Sequence, residues 1–364
     1  MPELRTAYAI YKKRGILSLF QSVLSYIIWK ILPEAKTKRF ISRSALISNL
    51  YFHFKKTFKF EQKSILHGQA LYQELEDSGS KPQHRVIRQI HRIEKGISMK
   101  DRRDVFAEGY IQQTVNDVSK LWKQSKTADT QLKWSIDVLS EYFEIVEKTE
   151  PISRAETNFK HLLTEIDYEP EEKKPIKRSE VESNSVTYRD FHELALQRTS
   201  TRWFEQRKVP REVLNKSLET ALQSPSACNR QSFEFRFYDE KELIQEITEL
   251  PIGVSGYRDN IPCLAVIVGK HRAYSDARDR HVVYIDSSLT AMSFQYALEA
   301  QGLASCCINW PVIHRLEVDM ADTIGLDDDE EVIMLMAIGY PDSEAKVPFS
   351  AKKSVDEVAS FNET

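Results

Sequence analysis

Apolar residues recur at three- and four-residue spacing through the first 165 or so positions, and then the period changes. "GILSLFQSVLSYIIWKIL" sets Leu19, Phe20, Val23, Ile27 and Ile31 on one helical face and Ser18, Gln21, Ser22 and Ser25 near another, and the run stops at Pro33. "DTQLKWSIDVLSEYFEIVEKT" keeps the same helical spacing. No convincing strand and no fixed-period repeat falls between residues 40 and 165. Residues 168–188, "YEPEEKKPIKRSEVESNSVTY", are charged, carry two prolines and read as a linker. Beyond them helix and strand patterns mix. "VPREVLNKSLETALQS" has a helical period with Pro210 near its first turn. Phe233, Phe235 and Phe237 alternate with Glu234 and Arg236, a strand pattern, and "IPCLAVIVG" (261–269) is a buried strand. "DSSLTAMSFQYALEAQG" predicts a helix with Asp286 or a following serine as N-cap and Gly302 at its stop. "ASCCINW" and "EVIMLMAIGY" predict two more buried strands. The fold class expected is α+β: a sheet flanked by helices, preceded by a mainly α-helical region. The expected division is a helical N-terminal domain over 1–167, a linker over 168–188 and a sheet domain over 189–364.

Composition narrows the class. The chain has 364 residues, 41% hydrophobic and 29% charged, ordinary for a protein with a real core. A net charge of -3 gives the whole chain no nucleic-acid signature. The distribution is uneven: residues 1–60 hold twelve Lys/Arg against two Asp/Glu. The first apolar helix is too short and interrupted to span a membrane with confidence, and no small-residue cleavage site marks it as a secretory signal. It is either a core helix or an interfacial helix on an anionic leaflet, for which Lys12, Lys13, Arg14, Lys36, Lys38 and Arg39 are the flanking cations. Four cysteines (Cys228, Cys263, Cys306, Cys307) form no CxxC pair and no zinc pattern, so a reducing, cytoplasmic setting without structural disulfides or a metal centre is expected. Neither GxGxxG nor a Walker A loop occurs.

Three stretches carry candidate chemistry. "RQIHRIEKGISMKDRRDVFAEGY" gathers His91, Arg92, Glu94, Lys95, Arg102 and Arg103, as a solvated, salt-bridged helix end or as a basic pocket for a phosphate or carboxylate. "QRTSTRWF" spaces Arg198, Ser200 and Arg202 two apart, so an extended backbone points all three to one side, where forked guanidiniums suit phosphate oxygens. "SPSACNRQ" places small residues and amides directly before a core strand, a helix-to-strand turn or a seat for something flat with a polar edge. Basic Lys352 and Lys353 follow Ser350 near the C-terminus.

In order, these marks resemble the nitroreductase family of FMN-dependent oxidoreductases. They are R-x-S-x-R-x-F (Arg198–Phe204), P-S-x-x-N-x-Q (Pro225–Gln231), "GLASC" (Gly302–Cys306), "GYP" (Gly339–Pro341) and "SAKK", and they cover roughly residues 190–360. The resemblance implies a nitroreductase-like mixed sheet and an obligate homodimer with FMN at its interface. It implies that Arg198, Ser200 and Arg202 hold the FMN phosphate, with Lys352 returning to it where relatives carry Arg. Pro225, Ser226, Ala227, Asn229 and Gln231 would pack on the flavin of the partner subunit, and Ala304, Ser305 and Cys306 on its other face. It implies electron transfer from NAD(P)H through the flavin to a small-molecule acceptor, with no catalytic side chain required. The helical N-terminal half lies outside the resemblance, where peripheral membrane contact is the expectation. The competing reading is a redox-silent binding or assembly module of the same fold.

Overall fold

The computed structural model describes residues 34–77, 83–124 and 130–362. The amphipathic helix expected over residues 15–32 lies outside them. The chain divides into two compact units, Met1–Lys63 with Val312–His314, and Ser64–Pro311 with Arg315–Thr364.

In the first unit, α1 (Glu34–Ser42) and α2 (Ala45–Lys55) form a helical pair. Ser44 caps α2 by accepting the Ile47 N–H at 3.4 Å, and Lys56 ends it in the left-handed conformation. Nothing in α2 is buried: Leu46, Ile47, Leu50, Phe52 and Phe54 are all exposed.

The second unit opens with the remainder of α3 (Lys59–Asp77), followed by α4 (Gln83–Ile97), α5 (Ile111–Gln124), α6 (Thr130–Ile145) and α7 (Glu150–Glu165). The three-to-four spacing of the sequence buries Val86, Ile87, Ile90 and Ile93 of α4 against Val115 and Val118 of α5 and Ile136, Leu139 and Tyr142 of α6. Two buried polar pairs cross this layer. Arg85 Nε donates to Asp117 Oδ2 at 2.8 Å, and Thr114 Oγ1 donates to Gln89 Oε1 at 2.9 Å. After Glu165 the chain runs without a helix to Tyr188, broken only by the short turn Arg178–Glu180.

The rest is α8 (Tyr188–Gln197), α9 (Arg211–Ala221), β1 (Phe233–Tyr238), α10 (Lys241–Thr248), β2 (Cys263–Lys270), α11 (Val282–Glu299), β3 (Ala304–Asn309), α12 (His314–Ile324) and β4 (Glu330–Gly339). The sheet order is β1-β2-β4-β3, and every neighbouring pair is antiparallel. The parallel component is the isolated bridge Ser200–Ser305 at the outer edge. β2 is central and buried on both faces, which explains its unbroken apolar run. Leu264, Val266 and Val268 face one core with Ile244, Ile247 and Met320; Cys263, Ala265 and Ile267 face the other with Ala291, Phe294 and Leu298. The period of two thus divides one strand between two helix-covered faces. Phe235 and Phe237 of β1 pack on Phe294 of α11, at ring centroid distances of 5.2 and 5.9 Å.

The helical layer meets the sheet half without a spacer. At Gly68 of α3 an added Cβ would lie 2.5 Å from His271 Cβ and 2.6 Å from the His271 carbonyl carbon. α4 packs on the turn Ala227–Asn229. Gly68→Ala should therefore lower stability by about 1–3 kcal/mol, measured by urea denaturation. A second prediction concerns Glu317, which is buried in α12 and accepts from Trp310 Nε1 at 2.8 Å. Burial raises its carboxyl from 4.5 to about 7. The folded state then keeps a proton that the unfolded chain has released, so this group costs stability as pH rises through that window, on the order of 3 kcal/mol. Glu317→Gln should remove that slope: the wild-type-minus-variant difference in unfolding free energy should fall between pH 5 and pH 8.

Candidate functional site

The stretch from Ser224 to Ser232 links α9 to β1 and is bent sharply. Cys228, Asn229 and Gln231 all take left-handed backbone angles, at φ of 54°, 54° and 50°. Three such non-glycine residues within four positions require surroundings that impose them. Those surroundings are built on α11. Buried Asp286 accepts the Ala227 N–H at 3.0 Å through Oδ2. Tyr274 OH donates toward the same oxygen at 3.5 Å, and its 2.6 Å hydrogen bond with Ser232 Oγ ties the loop's far end to the same network. The Arg230 guanidinium lies over the Tyr274 ring at 4.8 Å, with Asp279 as its carboxylate at 3.8 Å. Burial holds the Asp286 carboxyl above its ordinary value despite these donors. Sequence reading makes Asp286 or a following serine an N-cap; the helix in fact starts at Val282, and Asp286 is one turn inside it, used to hold the loop.

Arg198, Ser200 and Arg202 sit where α8 ends and the chain turns extended. Ser200 bridges Ser305 of β3, and Thr201 N–H donates to Ser305 O at 3.2 Å. The segment is fixed at its other end by Phe204, whose N–H donates to Asn260 Oδ1 at 2.6 Å. Thr201 and Phe204 are buried, Arg198 and Ser200 half-buried, and Arg202 exposed. Arg202 lies 5.9 Å from the Tyr257 ring, and burial, with Cys306 next to it, pushes the Tyr257 hydroxyl up to about 12. Among the described residues neither Arg198 nor Arg202 has a carboxylate within salt-bridge distance. Ala304, Ser305 and Cys306 are buried on β3. Ser305 Oγ donates toward Gln295 Oε1 of α11 at 3.5 Å. The structure therefore brings the Arg198–Arg202 segment and the Ala304–Cys306 segment together. It leaves Lys352 exposed on the irregular chain after β4.

The loop Pro225–Gln231 meets α11 at two levels: Ser224, just before it, bonds Ser293 Oγ at 2.7 Å, and Ala227 is held by Asp286, nine residues and about 13.5 Å along the axis from the Gln295 that Ser305 meets.

A cavity of about 740 Å³ lies against this loop. Pro225, Ser226, Asn229 and Gln231 form one wall, with Leu222 and Gln223 from the end of α9. His91 and Glu94 of α4 and Thr130, Gln131 and Trp134 of α6 form the wall opposite, and Lys173 and Lys174 close a side. Glu94 accepts from Trp134 Nε1 at 3.0 Å and lies 3.3 Å from His91 Nδ1. The sequence marks His91 and Glu94 as a charged helix end or a basic pocket, and structure puts them on a cavity wall. Trp134, Lys173 and Lys174 carry no motif, and only the packing of α4 and α6 near the loop reveals them.

With this geometry in place, the chain can be set beside known proteins. The Nitroreductase family model matches residues 195–253 and 258–340, so the similarity lies in the C-terminal part of the chain, and the N-terminal helices lie outside the match. The chain is 24% identical over 249 residues to iodotyrosine deiodinase 1 of Homo sapiens, covering 60% of this chain and 81% of that protein. The Sus scrofa protein of the same name is 24% identical over 259 residues, covering 63% and 83%. Among solved structures, an FMN-dependent nitroreductase from Clostridium difficile R20291 is 24% identical, covering 47% of this chain and 98% of that one, with a TM-score of 0.41. A nitroreductase family protein from Clostridium novyi NT is 21% identical, covering 42% and 86%, with a TM-score of 0.39.

Asp286→Ala should leave the Ala227 N–H without its acceptor. The expected result is faster hydrogen exchange at Ala227 and a loss of about 1–3 kcal/mol in stability; unchanged exchange would show that the loop does not depend on this carboxylate.

Proposed function

We propose that the protein is an FMN-dependent oxidoreductase that passes electrons from NAD(P)H to a small-molecule acceptor and works as a homodimer. The observation that carries this reading is the split site. The Arg198–Arg202 and Ala304–Cys306 segments are joined, while the loop Pro225–Gln231 is held separately on α11, its start through Ser224 at Ser293 and its Ala227 through Asp286, about 13.5 Å along the axis from Gln295. One chain thus presents two half-sites, and a second copy completes each.

The residues present fit FMN. Arg198 and Arg202, neither with a carboxylate within salt-bridge distance among the described residues, and the Ser200 hydroxyl suit a phosphate dianion. Lys352 supplies a further cation from the exposed tail. Pro225, Ser226 and Ala227 are small enough for backbone to approach a ring, and the Asn229 and Gln231 amides can meet its polar edge. Bound flavin would supply the two-electron chemistry. The chain binds and orients it: Asp286 fixes the loop, β3 offers buried Ala304 and Cys306, and the helical layer lines the open cleft beside the loop. Exposed apolar groups favour the dimer. Ile285 and Leu289 form a stripe on α11, and Phe349, Val355, Val358 and Phe361 stand exposed on the tail, Phe349 at 94%.

In this reading residues 1–167 and 189–364 are the helical and flavin-binding parts, joined by 168–188, and the protein is cytoplasmic with peripheral contact to the inner membrane face. The first unit supports that contact: its exposed Phe40, Leu46, Leu50 and Phe54 lie among Lys38, Arg39, Arg43, Lys55 and Lys56. Among the described residues no helix is long and apolar enough to cross a membrane.

The purified protein should show flavin absorption that bleaches on anaerobic addition of NADH or NADPH, and it should sediment as a dimer. Arg198→Ala and Arg202→Ala should each weaken FMN binding about 10- to 100-fold, read by fluorescence titration. A protein that cannot be reconstituted with FMN would overturn the reading and leave a redox-silent module of the same fold. If the first unit touches membrane, full-length protein should cosediment with anionic vesicles at low salt and not with neutral ones.

A further inference from the structure

We infer that the open cleft between α2 and the start of α3 binds one anionic phospholipid, its acyl chains on the apolar wall and its phosphate at Lys56 and Lys59. This deepens the membrane contact of the proposed function and rests on that part of it, not on the flavin site.

The cleft, about 760 Å³, lies wholly within the first unit and has room for a single amphiphile. α2 builds one wall because its sequence sets Leu46, Asn49, Leu50, His53 and Phe54 at i, i+3, i+4, i+7 and i+8, one stripe of a helix. Such a stripe ordinarily faces a core, but here it faces the cleft and nothing in α2 is buried. The end of the helix shapes the rest. Lys56 is left-handed, and its backbone N–H donates to His53 O at 3.2 Å. Beyond that turn Phe58 meets Phe52, with ring centroids 4.7 Å apart, and both rings line the cleft. Its floor is therefore aliphatic and aromatic.

Charge selects the occupant. Lys56 and Lys59 line the cleft beside Gln62, and no Asp or Glu does. Among the described residues neither lysine has a carboxylate within salt-bridge distance, so their ammonium donors are open to a ligand. Residues 34–63 carry eight Lys/Arg against two Asp/Glu, so the surroundings reinforce the same sign. An apolar floor with a cationic rim is complementary to a molecule that has chains at one end and an anion at the other. A free phosphate would satisfy the rim and leave the floor wet. A second copy of this unit would set like charge against like.

The test titrates full-length protein by calorimetry with dihexanoyl phosphatidylglycerol, dihexanoyl phosphatidylcholine and glycerol 3-phosphate, the lipids kept below their micelle-forming concentrations. Phosphatidylglycerol should bind saturably, one molecule per chain, about tenfold or more tighter than either other probe. Lys56→Gln/Lys59→Gln should cut its preference over phosphatidylcholine to within about twofold, and Leu50→Ser/Phe54→Ser should lose both lipids. All four positions are exposed, so circular dichroism should be unchanged. Arg43→Gln, a cation of the same unit outside the cleft, should bind like wild type. Equal affinity for the two lipids, glycerol 3-phosphate binding as tightly as phosphatidylglycerol, or binding that survives either double substitution would overturn the inference. So would two further outcomes. Lipid binding that appears only in Leu19→Asp/Phe20→Asp would give the cleft to the N-terminal apolar stretch. A wild type that binds no lipid and loses an oligomer in Leu50→Ser/Phe54→Ser would give it to a second copy. Cosedimentation with anionic vesicles without binding of the dispersed lipid would keep the membrane contact and defeat the cleft; failure of both would defeat both, and bleaching of flavin by NADH is read separately from either.

Discussion

A carboxylate taken out of water organises the functional half of this protein. Asp286 sits on the inner face of α11, where burial alone favours its neutral form. It is held there by the Ala227 amide and by Tyr274, which also binds Ser232. The loop between those two residues therefore has both ends tied to one buried network. That is what lets Cys228, Asn229 and Gln231 stay in left-handed conformations costly for residues with a Cβ. A charge desolvated in this way gains little by itself, but removing a partner is expensive, so the arrangement is specific more than stabilising.

The loop is also the place where two cores approach one another. The sheet has a core on each face because β2 alternates its side chains between them. The helical layer has its own core, with α4 carrying Val86, Ile87, Ile90 and Ile93 inward. α4 nevertheless reaches the turn Ala227–Asn229, and Gly68 of α3 lets backbone close on His271. Under the proposed function, the C-terminal part supplies the cofactor site, and the helical layer lines one wall of the cavity beside it.

Apolar surface is left open on α11 and on the tail. Along α11 the inner positions go to the core and the outer ones, Ile285 and Leu289, to solvent. The tail beyond β4 has large apolar side chains and no core beneath them. Under the proposed function, this uncovered apolar surface is what a two-fold partner would bury.

Sequence determined the elements whose cause is local. The period of two in "FEFRF" and the apolar run of "CLAVIVG" place β1 and β2 within a residue or two, and helical spacing marks α6 and α9, because burial periodicity is written directly into neighbouring positions. The Arg198–Arg202 triplet was legible as a group since an extended backbone alternates its side chains, and Thr201 is indeed buried between exposed or half-buried neighbours. The start of α11 was not legible. "VVYI" is a β-branched run with modest helix propensity, and burial of Val283 outweighed it. With the helix beginning five residues earlier than its cap signal suggests, Asp286 turned from an N-cap into the loop's anchor. Nor could sequence join Glu94 and Trp134 to Asn229, or assign Lys173 to a wall rather than a linker. Those neighbours are separated by up to 135 positions, and only the packing of α4 and α6 beside the loop, with Asp137 of α6 accepting the Lys173 backbone N–H at 2.8 Å, decides that they share a cavity.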